Sequence, residues 1–191
     1  MVSFAKYSLV TALLVSFLLS SVQAETKGAL PSLKAFVSSQ QFKKDEVVLG
    51  MVGFYGDPRP PQWLILTGSL SEKGVLRESV FSGGKVVAER SFKALKGQDL
   101  PSLPINPHTV KFDSGDSFEV AEKVAIARRI SFETVHYQLR CRAEGSEPVW
   151  MLSLINPSQV VVGVVYVSAV TGELLEESWP TLRFEKFSSA R

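Results

Sequence analysis

The sequence predicts an α+β fold built from two α-β-β-β repeats, each a helix packed on an antiparallel sheet. Three observations lead there. Pro61-Gln62-Trp63-Leu64 is matched 87 positions later by Pro148-Val149-Trp150-Met151. At the same offset Val37 meets Val124, Val48 meets Val135 and Val52 meets Leu139, which is how an internal repeat shows itself. In each half a segment of helical periodicity precedes segments of apolar alternation, and Gly83-Gly84 or Thr171-Gly172 closes the last hairpin.

The elements follow in chain order. Residues 1–24 read as a secretory leader. Lys6 lies near the start, an apolar run over 7–19 is too short to span a bilayer, and Val22 and Ala24 occupy the positions that define cleavage. The mature protein is therefore expected to begin at Glu25, in the periplasm or outside the cell, with no stable membrane span. No cysteine stands near that point to carry a lipid.

Residues 25–94 form the first expected repeat. Pro31 suits a first helical position, and Leu33, Phe36, Val37 and Gln40 share a face at helical spacing. Strands are expected over 47–55, 63–67 and 75–81. Residues 95–115 carry Pro101, Pro104 and Pro107 among polar residues and read as an extended linker.

Residues 116–191 form the second expected repeat. Asp116 with Glu119 is expected to cap a helix over 117–130, each side chain satisfying an orphan amide of the first turn. Val120, Val124 and Ala127 then share a face, and acids precede Arg128 and Arg129 as the helix dipole favours. Val135, Tyr137, Leu139 and Cys141 alternate with His136, Gln138, Arg140 and Arg142. Period-2 alternation puts the first set in the core and the second on a polar face. Strands over 150–155 and 160–170 follow. Trp63 and Trp150 are expected in equivalent buried positions, and Gly84 and Gly172 at positive φ in tight turns.

The final hairpin, Val165-Tyr166-Val167-Ser168-Ala169-Val170-Thr171-Gly172-Glu173-Leu174-Leu175, resembles the closing hairpin of the PepSY family. Ser168 departs from the pattern, since family members commonly carry an acid there. Two such units in tandem also resemble the layout of the secreted β-lactamase inhibitor protein. The resemblance implies a non-catalytic module of exported proteins, associated with restraining peptidases or with ligand sensing.

Composition adds exclusions. Lysine and arginine number 21 against 19 acids, which gives no basic field for nucleic acid or anionic membrane. Cys141 is the single cysteine, so no internal disulfide forms. His108 and His136 have no convergent ligands at metal-site spacing, and no nucleophile elbow or glycine-rich phosphate loop is present. No cofactor and no catalytic constellation are expected.

Two features carry candidate binding. One is the stiff tip Asp57, Pro58, Arg59, Pro60, which loses little entropy on docking. The other is the polar face of His136, Arg140 and Arg142, extended by Arg128 and Arg129 if the helix end lies near. The expected function is therefore that of an exported module binding a protein or peptide, a peptidase among the candidates. The alternatives are an envelope hydrolase with a cleft between the repeats and a purely structural envelope protein.

Overall fold

The computed structural model describes residues 28–95, 100–143 and 145–180. The expected leader and the last residues of the second repeat lie outside the described residues. The elements are α1 (Ala29–Val37), β1 (Glu46–Gly56), β2 (Trp63–Ser69), β3 (Val75–Ser82), β4 (Lys85–Lys93), α2 (Ser114–Arg128), β5 (Thr134–Cys141), β6 (Pro148–Ile155), β7 (Val161–Ser168) and β8 (Leu174–Ser178).

The expected fold of two α-β-β-β repeats, each with its own sheet, is overturned. All the described strands belong to one eight-stranded antiparallel sheet, ordered β4-β3-β2-β1-β5-β6-β7-β8. At its centre β1 pairs with β5, with Met51 opposite Leu139 and Gly53 opposite Tyr137. Two separate sheets would each leave an apolar strand edge unpaired. Joining them satisfies both rows of backbone groups and merges the two cores. The three-strand count also misses β4 and β8. These are edge strands lying mostly outside the core, so apolar alternation does not mark them.

Helix α1 packs on β2, β3 and β4, and α2 on β6 and β7, along the same face of the sheet. That face holds the core. Trp63 on β2, Tyr137 on β5 and Trp150 on β6 meet across the central seam, with ring centroids 5.9 Å apart for Trp63–Tyr137, 6.4 Å for Tyr137–Trp150 and 6.3 Å for Trp63–Trp150. Both tryptophans are buried, and the Trp150 indole donates to the Phe112 carbonyl at 3.0 Å.

The cap of α2 lies three residues earlier than Asp116–Glu119. Asp113 is the N-cap, and its amide donates to the Asp116 carboxylate at 3.0 Å. Asp113 Oδ1 accepts from Ser114 N at 2.7 Å and also from Leu30 N at 2.8 Å. One carboxylate thus sits at the positive ends of both helices, an arrangement the helix dipoles favour. The expected linker contributes to the core as well. Ile105 and Val110 are buried, and the Ile105 amide donates to the Val48 carbonyl at 2.7 Å.

The closing turn depends on Ser168. Its buried hydroxyl accepts from Val170 N at 3.2 Å and Thr171 N at 3.0 Å, the work an acidic side chain would do at that position. Gly172 follows at φ +77, and a Cβ there would lie 2.3 Å from Phe112 Cε1; Gly84 stands at φ +82 with nothing within 4 Å. The contrast gives an expected result. Gly84→Asn should change stability by a few tenths of a kcal/mol, because asparagine tolerates the left-handed region. Gly172→Asn should cost about 1–3 kcal/mol, since the Phe112 ring must move whatever the backbone preference. Urea denaturation of the two variants makes the comparison, and equal losses would remove the role assigned to Phe112.

Candidate binding face

The face of the sheet opposite the helices carries a row of direct cross-strand partners. Tyr166 faces Met151, Met151 faces Gln138, Gln138 faces Val52, Val52 faces Leu64 and Leu64 faces Val80. All six are half-buried by their neighbours within the face. At the lower end of this face Pro101 lies over Gly50, where a Cβ would be 3.0 Å from Pro101 Cγ.

At the upper end β1 bulges. Gly53 pairs with Tyr137 and Gly56 with Val135, so β1 carries one more residue than β5 between the two pairs. The bulge turns Phe54 and Tyr55 to the same neighbour. Their rings meet His136 edge-on, at centroid distances of 5.1 and 4.7 Å. Phe54 is 44% exposed and Tyr55 55%. Tyr55 adopts φ 55, a region that costs a bulky residue of order 1–3 kcal/mol. His136 is half-buried between them, its Nε2 without a partner among the described residues. Burial pushes its pKa below the ordinary histidine value.

The proline-rich tip joins β1 to β2 and folds to the helix side of the sheet, where Asp57 lies near Phe118 and Glu122 of α2. Asp57, Pro58 and Arg59 are exposed, whereas Pro60 is buried. Pro60 occupies the space over Gly53, where a Cβ would lie 2.5 Å from Pro60 Cγ. The Tyr137 hydroxyl donates to the Pro58 carbonyl, tying the tip to the core. Burial, with the Asp57 and Asp113 carboxylates, pushes the Tyr137 phenol up, so it stays a donor at any physiological pH.

His136, Arg140 and Arg142 share the face as their alternation predicts, but they form no single patch. Arg142 lies just past the end of β5, six residues from His136, about 20 Å at strand rise. It stacks over the Tyr166 ring at 4.7 Å and pairs with Glu176 at 2.8 Å. Arg128 does not extend this face, because it pairs with Glu177 on the helix side. Cys141 is only half-buried. It ends β5 at the margin of the core, beside the linker, with Sγ 3.6 Å from the Pro104 carbonyl. Burial raises its pKa and so disfavours the thiolate.

Cys141 lines a cavity of about 410 Å³ with Leu103, Pro104, Ser146, Pro148 and Val170. Glu147 is the ionisable carboxylate on its described wall, and no histidine lines it there. Among the described residues no His/Cys/Asp/Glu group has metal-site geometry, and no helix is long and apolar enough to cross a membrane.

Sequence reasoning passed over Phe54 and Tyr55. The stretch Gly53-Phe54-Tyr55-Gly56 breaks the period of two with adjacent aromatics between glycines, and that is the signal a bulge leaves.

No protein-family model and no curated protein matches the chain. Among solved structures it is similar to a candidate lipoprotein from Clostridium difficile 630, with a TM-score of 0.53 and 11% identity over 81% of this chain and 96% of that one. The likeness shows a shared fold over nearly the whole of that protein.

Proposed function

We propose that the protein is an exported, non-catalytic binding module that takes a protein or peptide partner on its open sheet face. One observation carries the reading. Phe54 and Tyr55 are exposed around His136 on the face that the helices leave free, and Tyr55 is held there at an unfavourable φ. Backbone cost of this kind persists where surrounding structure imposes it, and it concentrates at sites of function. Exposed aromatics of limited side-chain freedom are also typical anchors of interfaces. The leader-like start supports export, and the hairpin likeness to PepSY modules supports a non-catalytic role, with a peptidase as one partner to test.

Capture from the native envelope extract tests the reading, using the wild-type protein beside Phe54→Ser/Tyr55→Asn. Asparagine relieves the backbone cost at residue 55, so the variant should fold at least as stably. A partner bound through this face should be recovered at least tenfold less by the variant, as expected when interface anchors are truncated. Equal recovery by both proteins would move the function off this face.

A further inference from the structure

We propose that β4 pairs with β4 of a second copy of this chain, antiparallel about a two-fold axis at Ser91, making one sheet continuous across the dimer. This inference stands apart from the partner-binding reading, because it uses the sheet edge and not the open face.

The sheet ends at β4 and β8. An edge strand presents a row of unpaired backbone groups, and which residues present them follows from the ladder. β4 pairs with β3 as Glu78–Arg90, Arg77–Ser91, Leu76–Phe92 and Val75–Lys93. Ala94 continues the register, its amide donating to the Gly74 carbonyl at 3.0 Å. Inward hydrogen bonds therefore fall on Ala94, Phe92 and Arg90. The N–H and C=O groups of Lys93, Ser91 and Glu89 point outward. The strand is exposed at every position except Val86 and Phe92.

Charge decides the occupant. With the axis at Ser91, residues opposite each other across the new pairing are Ser91 with Ser91, Glu89 with Lys93, Arg90 with Phe92 and Ala88 with Ala94, each pair occurring twice except the first. Glu89, Ser91 and Lys93 supply the exchanged hydrogen bonds. Glu89 and Lys93 form two opposite-charge pairs on the helix side. Glu89 is half-exposed even while it accepts from Arg77 at 2.9 Å, so its second oxygen can reach a cation. On the open side Arg90 meets Phe92 of the other copy, the same cation–aromatic pairing that it makes within its own strand at 5.6 Å. Moving the axis to Glu89, Arg90 or Lys93 sets like charges opposite each other, which disfavours those registers. The alignments about Ala88 and Phe92 oppose no like charges but form no opposite-charge pair either, so charge favours the axis at Ser91 over these neighbours.

The other edge lacks these properties. β8 has five residues, with Glu176 and Glu177 near its middle. Pairing about either residue opposes two carboxylates, and Pro180 follows without an amide hydrogen. Because the axis at β4 is perpendicular to the sheet, both open faces point the same way. A seven-residue pairing buries much less than the roughly 1,600 Å² of a standard interface, so the dimer should form in the micromolar range or above.

Sedimentation equilibrium of the exported protein, from micromolar concentration to about 1 mM, tests the inference. The mass should rise to twice that of the monomer. Ser91→Pro removes an outward N–H and leaves the inner ladder intact, a substitution that an edge strand tolerates. It should weaken the dimer at least tenfold with unfolding unchanged. Lys93→Glu should weaken it similarly, and Glu89→Lys/Lys93→Glu should return it to within about threefold of wild type. If Ser91→Pro fails to fold, the charge exchange alone decides. A monomer throughout the range overturns the proposal. So does a dimer indifferent to Ser91→Pro, or one that the double exchange fails to restore.

Discussion

Replacing Trp150 by alanine is expected to lower the unfolding free energy by about 3–5 kcal/mol, the usual cost of removing a buried tryptophan. Trp150 is fully buried beside Trp63 and Tyr137, where the strands of the two halves meet. Alanine would leave a cavity bounded by rings, which collapse into a void less readily than aliphatic chains do. It would also orphan the Phe112 carbonyl, which accepts from the indole at 3.0 Å. Trp150→Phe fills most of the volume and loses that hydrogen bond, so it should cost less, about 1–2 kcal/mol. Urea unfolding at equilibrium measures both. A loss below about 1 kcal/mol for alanine would mean that the seam between the halves is not a shared core.

The second large effect concerns Arg77, a charged residue 5% exposed on the core face of β3. Its guanidinium donates through Nε to Glu46 Oε1 at 2.8 Å and through Nη2 to Glu46 Oε2 and to the Gln41 carbonyl, while Nη1 reaches Glu89 at 2.9 Å. The hydrogen bonds to Glu46 raise its pKa further, so it is charged at every accessible pH. The Glu46 side chain is equally enclosed, at 6% exposure. Arg77→Met should therefore cost about 3–5 kcal/mol, mostly because Glu46 is left charged and unpaired in a poorly hydrated site. Removing that charge in the same background, as Arg77→Met/Glu46→Leu, should recover most of the loss. Thermal and urea unfolding of the single and double variants measure the coupling. If the second substitution adds to the first, the pair stabilises the fold directly, and its buried charge is not the source of the cost.

Much of the central sheet was legible in the residues. The alternation of Val135, Tyr137 and Leu139 with His136, Gln138 and Arg140 reports its two faces correctly, since side-chain direction in a strand is local geometry. The third step of that pattern, Cys141, failed because burial at a strand end depends on what covers it, and here the linker does so only in part. The α2 cap was misplaced by one turn because Asp113, Asp116 and Glu119 repeat at the same spacing, and any neighbouring pair satisfies the local pattern. Asp113 was selected by a contact 83 residues distant, its bond to the amide of Leu30.

The candidate site was legible in a different way. The tip over 57–60 stands out by its prolines, but the structure folds it against Tyr137 on the helix side, away from the face that holds His136. The aromatics that complete the cluster do not stand out, because adjacent apolar residues in a strand normally mean one inside and one outside. Only the bulge opposite His136 brings both Phe54 and Tyr55 against the histidine.

Local preferences were readable from the residues alone: the strands rich in β-branched residues, a helix expected over 117–130 and found at Ser114–Arg128, and the glycine turns at Gly84 and Gly172, where φ is positive. These follow from steric and hydrogen-bonding preferences spanning a few residues. How the two halves meet depends instead on contacts between distant segments. Either half could close its own small sheet with the same local preferences. Pairing β1 with β5 satisfies two strand edges at once and lets Trp63, Tyr137 and Trp150 share one core. That gain belongs to residues far apart in the chain, and so no segment read alone contains it.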